Sequence, residues 1–275
     1  MSMQSLFLFH FDEYTISMIA CSPLLFHITQ CVSESDKNAI RKCIFEQCLQ
    51  QKDLSIRRQL FTTMTYLIQE DFPSKWPNLM SSIAESIQTN NPYMILGGLS
   101  VLLAVFKKYH YTSRQRSDNP MEKMIDDTFP TLCNIFNITL DLYHKSLQQR
   151  NGQLNHELHV VLSILKVIYR IFFTAIFMQF PKHLQNGGLF EKWLNLFLRF
   201  FTIDPPSDLK LPKSNKEMLT VDSLYSIEQY SKYYDNPYVK ARKWAVRCIH
   251  RVLQLLSSYF SIHFPTTFFN CDSMH

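Results

Sequence analysis

Apolar residues recur along this chain at steps of three and four, in segments closed by turn signals, and this spacing predicts helices in neighbouring pairs. The segment Asp36 to Gln50 carries Ile40, Cys43, Ile44, Cys48 and Leu49 inward, with Ser35/Asp36 as its cap, and turns at Gln51-Lys52-Asp53. Leu54 to Glu70 follows, with Ile56, Leu60, Phe61, Met64, Leu67 and Ile68 inward and Ser55, Arg58, Thr62, Thr65 and Gln69 on the opposite stripe. Phe72-Pro73 ends it, because proline pushes the preceding residue out of the α region. Trp76 to Gln88 reads as a helix with Pro77 in its first turn, burying Leu79, Met80, Ile83 and Ile87, until Asn90-Asn91-Pro92 breaks it. Tyr93 to Tyr109 is almost continuously apolar, with a small-or-polar seam of Tyr93, Gly97, Ser100, Ala104 and Lys107, as expected of a helix packed on several sides.

The polar tract 111–120 reads as a loop and Met121 to Tyr143 as a further helix, with Pro130 predicting a kink. Leu154 to Gln179 is apolar enough to be mistaken for a membrane span. Lys166 and Arg170 sit at its centre, at about 2.5–3.5 kcal/mol each in a bilayer. His156, His159, Ser163, Lys166, Arg170 and Thr174 also form one polar stripe along it, so insertion in a membrane is not expected. Leu189 to Thr202 buries Trp193, Leu194, Leu196, Phe197, Phe200 and Phe201. A long polar connection at 204–236 follows, and Pro237 to Phe260 sets Val239, Trp244, Val246, Cys248, Ile249, Val252, Leu253 and Leu256 against Lys240, Lys243, Arg247, Arg251 and Gln254. The stops Phe72-Pro73, Phe180-Pro181 and Phe264-Pro265 are spaced close to multiples of ~36–42 residues, near the period of HEAT and armadillo helix pairs. The predicted fold class is all-α, an α-solenoid of HEAT-like antiparallel helix pairs, each burying its face by stacking on its neighbours.

Composition narrows the picture further. The chain of 275 residues has five glycines, too few for phosphate-binding loops or glycine-punctuated β folds, and 46% hydrophobic residues, ample for a large core. A net charge of +5 and a pI near 8.7 allow an acidic partner but fall short of the pI above ~9 that marks nucleic-acid binders. Seven scattered cysteines (Cys21, Cys31, Cys43, Cys48, Cys133, Cys248 and Cys271), with no C-x-x-C pair, predict free thiols in a reducing compartment. The N-terminus is apolar but lacks a basic n-region and carries Asp12 and Glu13, against a secretory signal.

Catalytic chemistry finds no foothold. His156-Glu157-Leu158-His159 places its histidines at i and i+3, where a zinc-binding H-E-x-x-H needs i and i+4. Cys43 and Cys48, five apart on an apolar helix, read as core thiols. No nucleophile elbow or glycine-rich nucleotide motif occurs, so neither an enzyme nor a cofactor is expected.

The stretches S-D-K-N-A-I-R-K-C-I-F-E (35–46), D-L-S-I-R-R-Q-L (53–60) and above all I-Q-E-D-F-P-S-K-W-P (68–77) resemble the N-terminal part of the importin-β superfamily, in particular its importin-seven/importin-eight branch. The segments 96–111, 161–173 and 240–245 follow in the same order. The resemblance covers roughly 36–260 and implies a nuclear transport receptor whose inner helices bind the small GTPase Ran in its GTP form. It further implies nuclear import of basic protein cargo, FG-repeat nucleoporins as pore partners, and shuttling between cytoplasm and nucleus through the nuclear pore. On that basis 1–35 is a divergent N-terminal segment, 36–262 a HEAT array with a long polar loop at 204–236, and 263–275 a tail. The family's receptors are several times longer, so a truncated receptor is expected, and a HEAT scaffold that has lost receptor function is the alternative. The candidate Ran or cargo face is the set of polar stripes: Arg58, Thr62, Thr65, Gln69, Lys107, Lys108, Lys166, Arg170, Lys240, Lys243, Arg247 and Arg251.

Overall fold

The structure, a computed structural model, describes residues 33–110, 120–148, 156–185, 188–203 and 236–263, and these contain helices and no strand. The helices are α1 (Glu34–Gln50), α2 (Leu54–Asp71), α3 (Leu79–Ile87), α4 (Pro92–Tyr109), α5 (Pro120–Gln148), α6 (His156–Ile176), α7 (Lys182–Gln185), α8 (Leu189–Thr202) and α9 (Pro237–His263). Contacts divide the chain into two compact units, split between Tyr111 and Thr112. The divergent N-terminal segment up to residue 32, the 204–235 part of the polar connection, and the third Phe-Pro stop all lie outside the described residues.

In the first unit side-chain caps fix the starts of α1, α2 and α4. Ser33, Asp53 and Asn91 accept the backbone N–H groups of Asp36, of Ser55 and Ile56, and of Tyr93. The cap of α1 is therefore Ser33, two residues before the expected Ser35. Helix α3 begins at Leu79 rather than Trp76, because the chain leaves α2 through turns at 72–75, with the Lys75 and Trp76 N–H groups donating to the Asp71 carbonyl. Helix α4 packs against α1, α2 and α3. Its glycines permit that approach: a Cβ on Gly97 would lie 2.8 Å from both the Cys48 carbonyl oxygen and the Leu49 Cα of α1.

The buried stripe of α1 differs from expectation. Arg41, Phe45, Cys48 and Leu49 point inward, and Ile40, Cys43 and Ile44 lie at its margin. Two contacts turn the helix this way. Phe45 meets Trp76 edge-on at 6.4 Å, and the Arg41 Nε donates to Asp71 at 2.8 Å, the two side chains being only 3% and 13% exposed. Likewise α2 buries Arg57 and Thr63 beside Leu60, Met64 and Ile68; the Arg57 guanidinium reaches the Tyr93 carbonyl at 3.0 Å.

The second unit is built on aromatic rings. Around Trp193 of α8, Phe172 of α6 lies at 4.8 Å and Phe129 and Phe136 of α5 at 5.2 and 5.6 Å, and Tyr169 stacks on Phe197 at 5.4 Å. Each such pair contributes about 0.5–1.5 kcal/mol beyond its buried area. Helix α6 packs against both α5 and α9. It is long and apolar enough to cross a membrane, but most of it is buried within the fold, as expected of a central core helix. Helix α5 continues through Pro130. Gly188, at φ +68°, starts α8 in the left-handed region that glycine enters without strain.

Burial pushes the Cys48 thiol up to about 12 and raises that of Cys248, whose S–H donates to the Tyr169 carbonyl at 3.1 Å. Both are inert core thiols, as the apolar spacing of Cys48 predicts.

Candidate functional site

The E-D-F-P-S-K-W-P element of 70–77 ties helices together. Asp71 binds Arg41 of α1 and lies 3.6 Å from Lys75. Phe72 meets Tyr109 of α4 edge-on at 6.2 Å, and Trp76 meets Phe45. The carbonyls of Ile68, Gln69 and Phe72 all accept from the Lys108 ammonium of α4. Lys108 therefore satisfies the open carbonyls at the C-terminus of α2 and complements its negative dipole end. The residues that carry the family resemblance build the junction of α1, α2 and α4.

The polar stripe of α2 is displayed on the surface of the first unit. Arg58, Thr62 and Gln69 are exposed and Thr65 is half-buried. The Thr62 and Thr65 hydroxyls donate to the carbonyls of Arg58 and Phe61 on their own helix, which engages their donors locally. Lys107 is exposed near the end of α4, where a cation also suits the helix dipole.

In the second unit α6 and α9 bring their stripes together. The guanidinium carbons of Arg170 and Arg247 lie 5.3 and 4.8 Å from the centroid of the Trp244 ring, within cation–π range. Phe173 meets the same ring edge-on at 5.6 Å. Trp244 is half-buried at this surface, in the packing role expected of it. Arg251 donates to the Phe177 carbonyl beyond the end of α6 and lies 5.4 Å from the Phe177 ring. This repeats in the second unit what Lys108 does in the first. His159, near one end of the seam, has its pKa lowered, first by burial and then by Lys166, His156 and Lys240. Lys243 is exposed beside it.

Helix α9 carries Lys240, Arg242, Lys243, Arg247 and Arg251 and no Asp or Glu; α6 carries Glu157 alone, in its first turn. Burial alone pulls the pKa of Arg170 down. Among the described residues no three His, Cys, Asp or Glu side chains gather as a metal site, and the strongest feature is this cationic, aromatic seam.

Sequence reasoning found the stripes of α6 and α9 separately, because the residues of each repeat at helical spacing, and did not join them. It missed Arg41 and Arg57, the buried cations of the first unit. Their signal was positional: Arg41 stands in register with Phe45, Cys48 and Leu49, and Arg57 with Leu60, Met64 and Ile68.

No family model matches the chain. An importin-β-like SAD2 homologue of Arabidopsis thaliana is 29% identical over 185 residues, covering 66% of this chain and 16% of the relative. Exportin-2 of Homo sapiens is 26% identical over 174 residues, covering 63% of this chain and 17% of the relative. The solved structure of the exportin Cse1 in its cargo-free, cytoplasmic state matches with a TM-score of 0.58 at 16% identity, over 82% of this chain and 22% of that one. The chain thus spans about a sixth of the length of the curated relatives it matches.

These similarities show homology to importin-β-like proteins, and the structural match shows the all-α fold of HEAT-like helix pairs. The homologues are transport receptors and not enzymes. The narrower importin-seven/importin-eight assignment is not supported by them; of the relatives named, one is importin-β-like and the others are exportins.

Proposed function

We propose that the chain is a HEAT-array segment of an importin-β-type transport receptor, binding Ran in its GTP form and carrying protein cargo between nucleus and cytoplasm. The observation that carries this reading is the similarity to importin-β-like and exportin chains over 66% and 63% of its residues. The exportin relatives favour export over the import that the E-D-F-P-x-x-W-P motif suggests. Passage through the nuclear pore by way of FG-repeat nucleoporins, and basic proteins as cargo, belong to the same reading. The exposed stripe of α2 and the α6–α9 seam are its contact surfaces; Lys108 and Arg251 act there by holding helix ends in place.

The immobilised full chain, offered Ran locked with GTP or loaded with GDP, retains the GTP form selectively. Equal retention of both forms, or of neither, removes Ran from the reading. Direction is read separately in nuclei supplied with the chain and a fluorescent cargo: net exit supports export, and net entry restores the import expectation.

A further inference from the structure

Arg170, Lys243 and Arg247 lie on two helices that carry one carboxylate between them, Glu157 in the first turn of α6. Arg170 has surrendered much of its water to the fold, and burial is the cause of its lowered pKa, with no carboxylate acting on it. A guanidinium in this state is costly to hold unless an anion shares the site. Arg170 and Arg247 sit over the Trp244 ring, and neither guanidinium makes a hydrogen bond or ion pair among the described residues, so their N–H groups remain for a carboxylate, which they match in bidentate geometry. Lys243 and Arg247 are neighbours at i and i+4 on α9, and Lys240 and Lys243 at i and i+3. Cationic groups therefore recur at steps of roughly 5–6 Å along one face.

We propose that this seam docks an acidic protein segment, with carboxylates seated on the edges of Arg170 and Arg247 and on Lys243, beside the Trp244 ring. The inference names the side-chain chemistry that the face accepts, and it holds whether or not the chain binds Ran. Carboxylates fit better than a nucleic acid here. Two guanidinium groups and the Phe173 ring already crowd Trp244, which removes the open aromatic face on which a base would stack. The pI near 8.7 also lies below that of typical nucleic-acid binders.

The test is a titration of the full chain with a capped peptide of alternating Glu and Ala, at about 50 mM salt, where surface electrostatics is weakly screened. The same peptide with Gln for Glu and a single-stranded RNA of equal length are the comparison probes. The Glu peptide binds and the Gln peptide does not. Arg247→Gln, at an exposed position that does not threaten folding, weakens the Glu peptide about five- to tenfold, and Lys42→Gln, at an exposed position of α1 outside both contact surfaces, leaves it unchanged. Equal binding of Glu and Gln peptides, an unaffected Arg247→Gln variant, or tighter binding of the RNA each overturns the proposal.

Discussion

In the first unit the inward-facing cations have named acceptors: Arg41 meets Asp71 and Asn38, Arg57 meets the Tyr93 carbonyl, and Lys108 gathers the carbonyls that end α2. In the second unit Arg170 and Arg247 meet the ring of Trp244. The units share one device, a basic side chain from a packed helix that closes the end of another, Lys108 on α2 and Arg251 on α6. They differ in what the remaining positive charge does. A buried cation with its own carboxylate is part of the frame, because removing either partner strands the other away from water. A cation placed over a ring, with no carboxylate or carbonyl among the described residues on its guanidinium, keeps its N–H groups for a partner.

The sharpest way to break this contrast is to remove one partner in each unit. Asp71→Ala leaves Arg41 in the core with only the exposed Glu34 carboxylate, 3.8 Å away, and lowers the opening free energy of α1–α4 by about 3 kcal/mol, near the lower end for buried pairs because Glu34 stays in reach and Asp71 retains some exposure. Arg170→Gln removes a stacked cation and costs α6 about 1 kcal/mol. Amide hydrogen exchange resolved by helix is the suitable measurement, since two units need not unfold together. If Asp71→Ala costs no more than Arg170→Gln, the distinction between framing and docking cations fails.

A smaller effect separates the units by how they use glycine. Gly97→Ala would gain about 1 kcal/mol of helix propensity. The new Cβ, however, meets backbone atoms of Cys48 and Leu49 that cannot swing aside, and such overpacking costs about 1–3 kcal/mol. The clash wins, and α1 and α4 loosen together by about 1 kcal/mol net. Gly188→Ala in the second unit meets nothing within 4 Å, so its cost is the left-handed backbone alone, about 1 kcal/mol, felt at the start of α8. Exchange that rises in α1 for the first variant and only in α8 for the second is the expected pattern. A stabilised α1 in Gly97→Ala contradicts it.

Much of the frame was legible along the chain, because caps, Phe-Pro stops and helical spacing are local. The turn at 51–53, the break at Asn91-Pro92 and the polar edge of α6 were all read from neighbouring residues. What was not legible depends on residues far apart in sequence. Arg41 lies thirty residues from Asp71, and without that partner an apolar reading of α1 placed Ile40 and Ile44 inward and left the arginine outside. The late start of α3 has a similar origin: the Asp71 carbonyl draws the Lys75 and Trp76 N–H groups into turns that delay the helix. In the candidate site, periodicity exposed the cations of α6 and α9. Their shared ring could be seen only once the two helices were side by side, since Trp244 is 74 positions from Arg170 in sequence but 5.3 Å from it in space.

The smallest effect tests the electrostatics of the seam itself. Burial and the nearby Lys166, His156 and Lys240 hold the pKa of His159 below its ordinary value of 6.5. The unfolded chain therefore takes up a proton at this site before the folded one does. His159 contributes stability that is fully present above about pH 6.5 and is lost as pH falls from there toward the folded pKa. The second unit loses stability on acidification between pH 7 and pH 5, and His159→Gln removes part of that loss. Carboxylates elsewhere in the chain also give up stability in acid, so the informative quantity is the difference between wild type and variant in the opening free energy of α6, followed across that pH range. A difference that stays flat shows that neither burial nor the surrounding charges hold the His159 pKa down in the folded chain. An acidic peptide seated on the seam offsets their positive field and shrinks the difference, which ties this small titration to the occupancy of the face on which it lies.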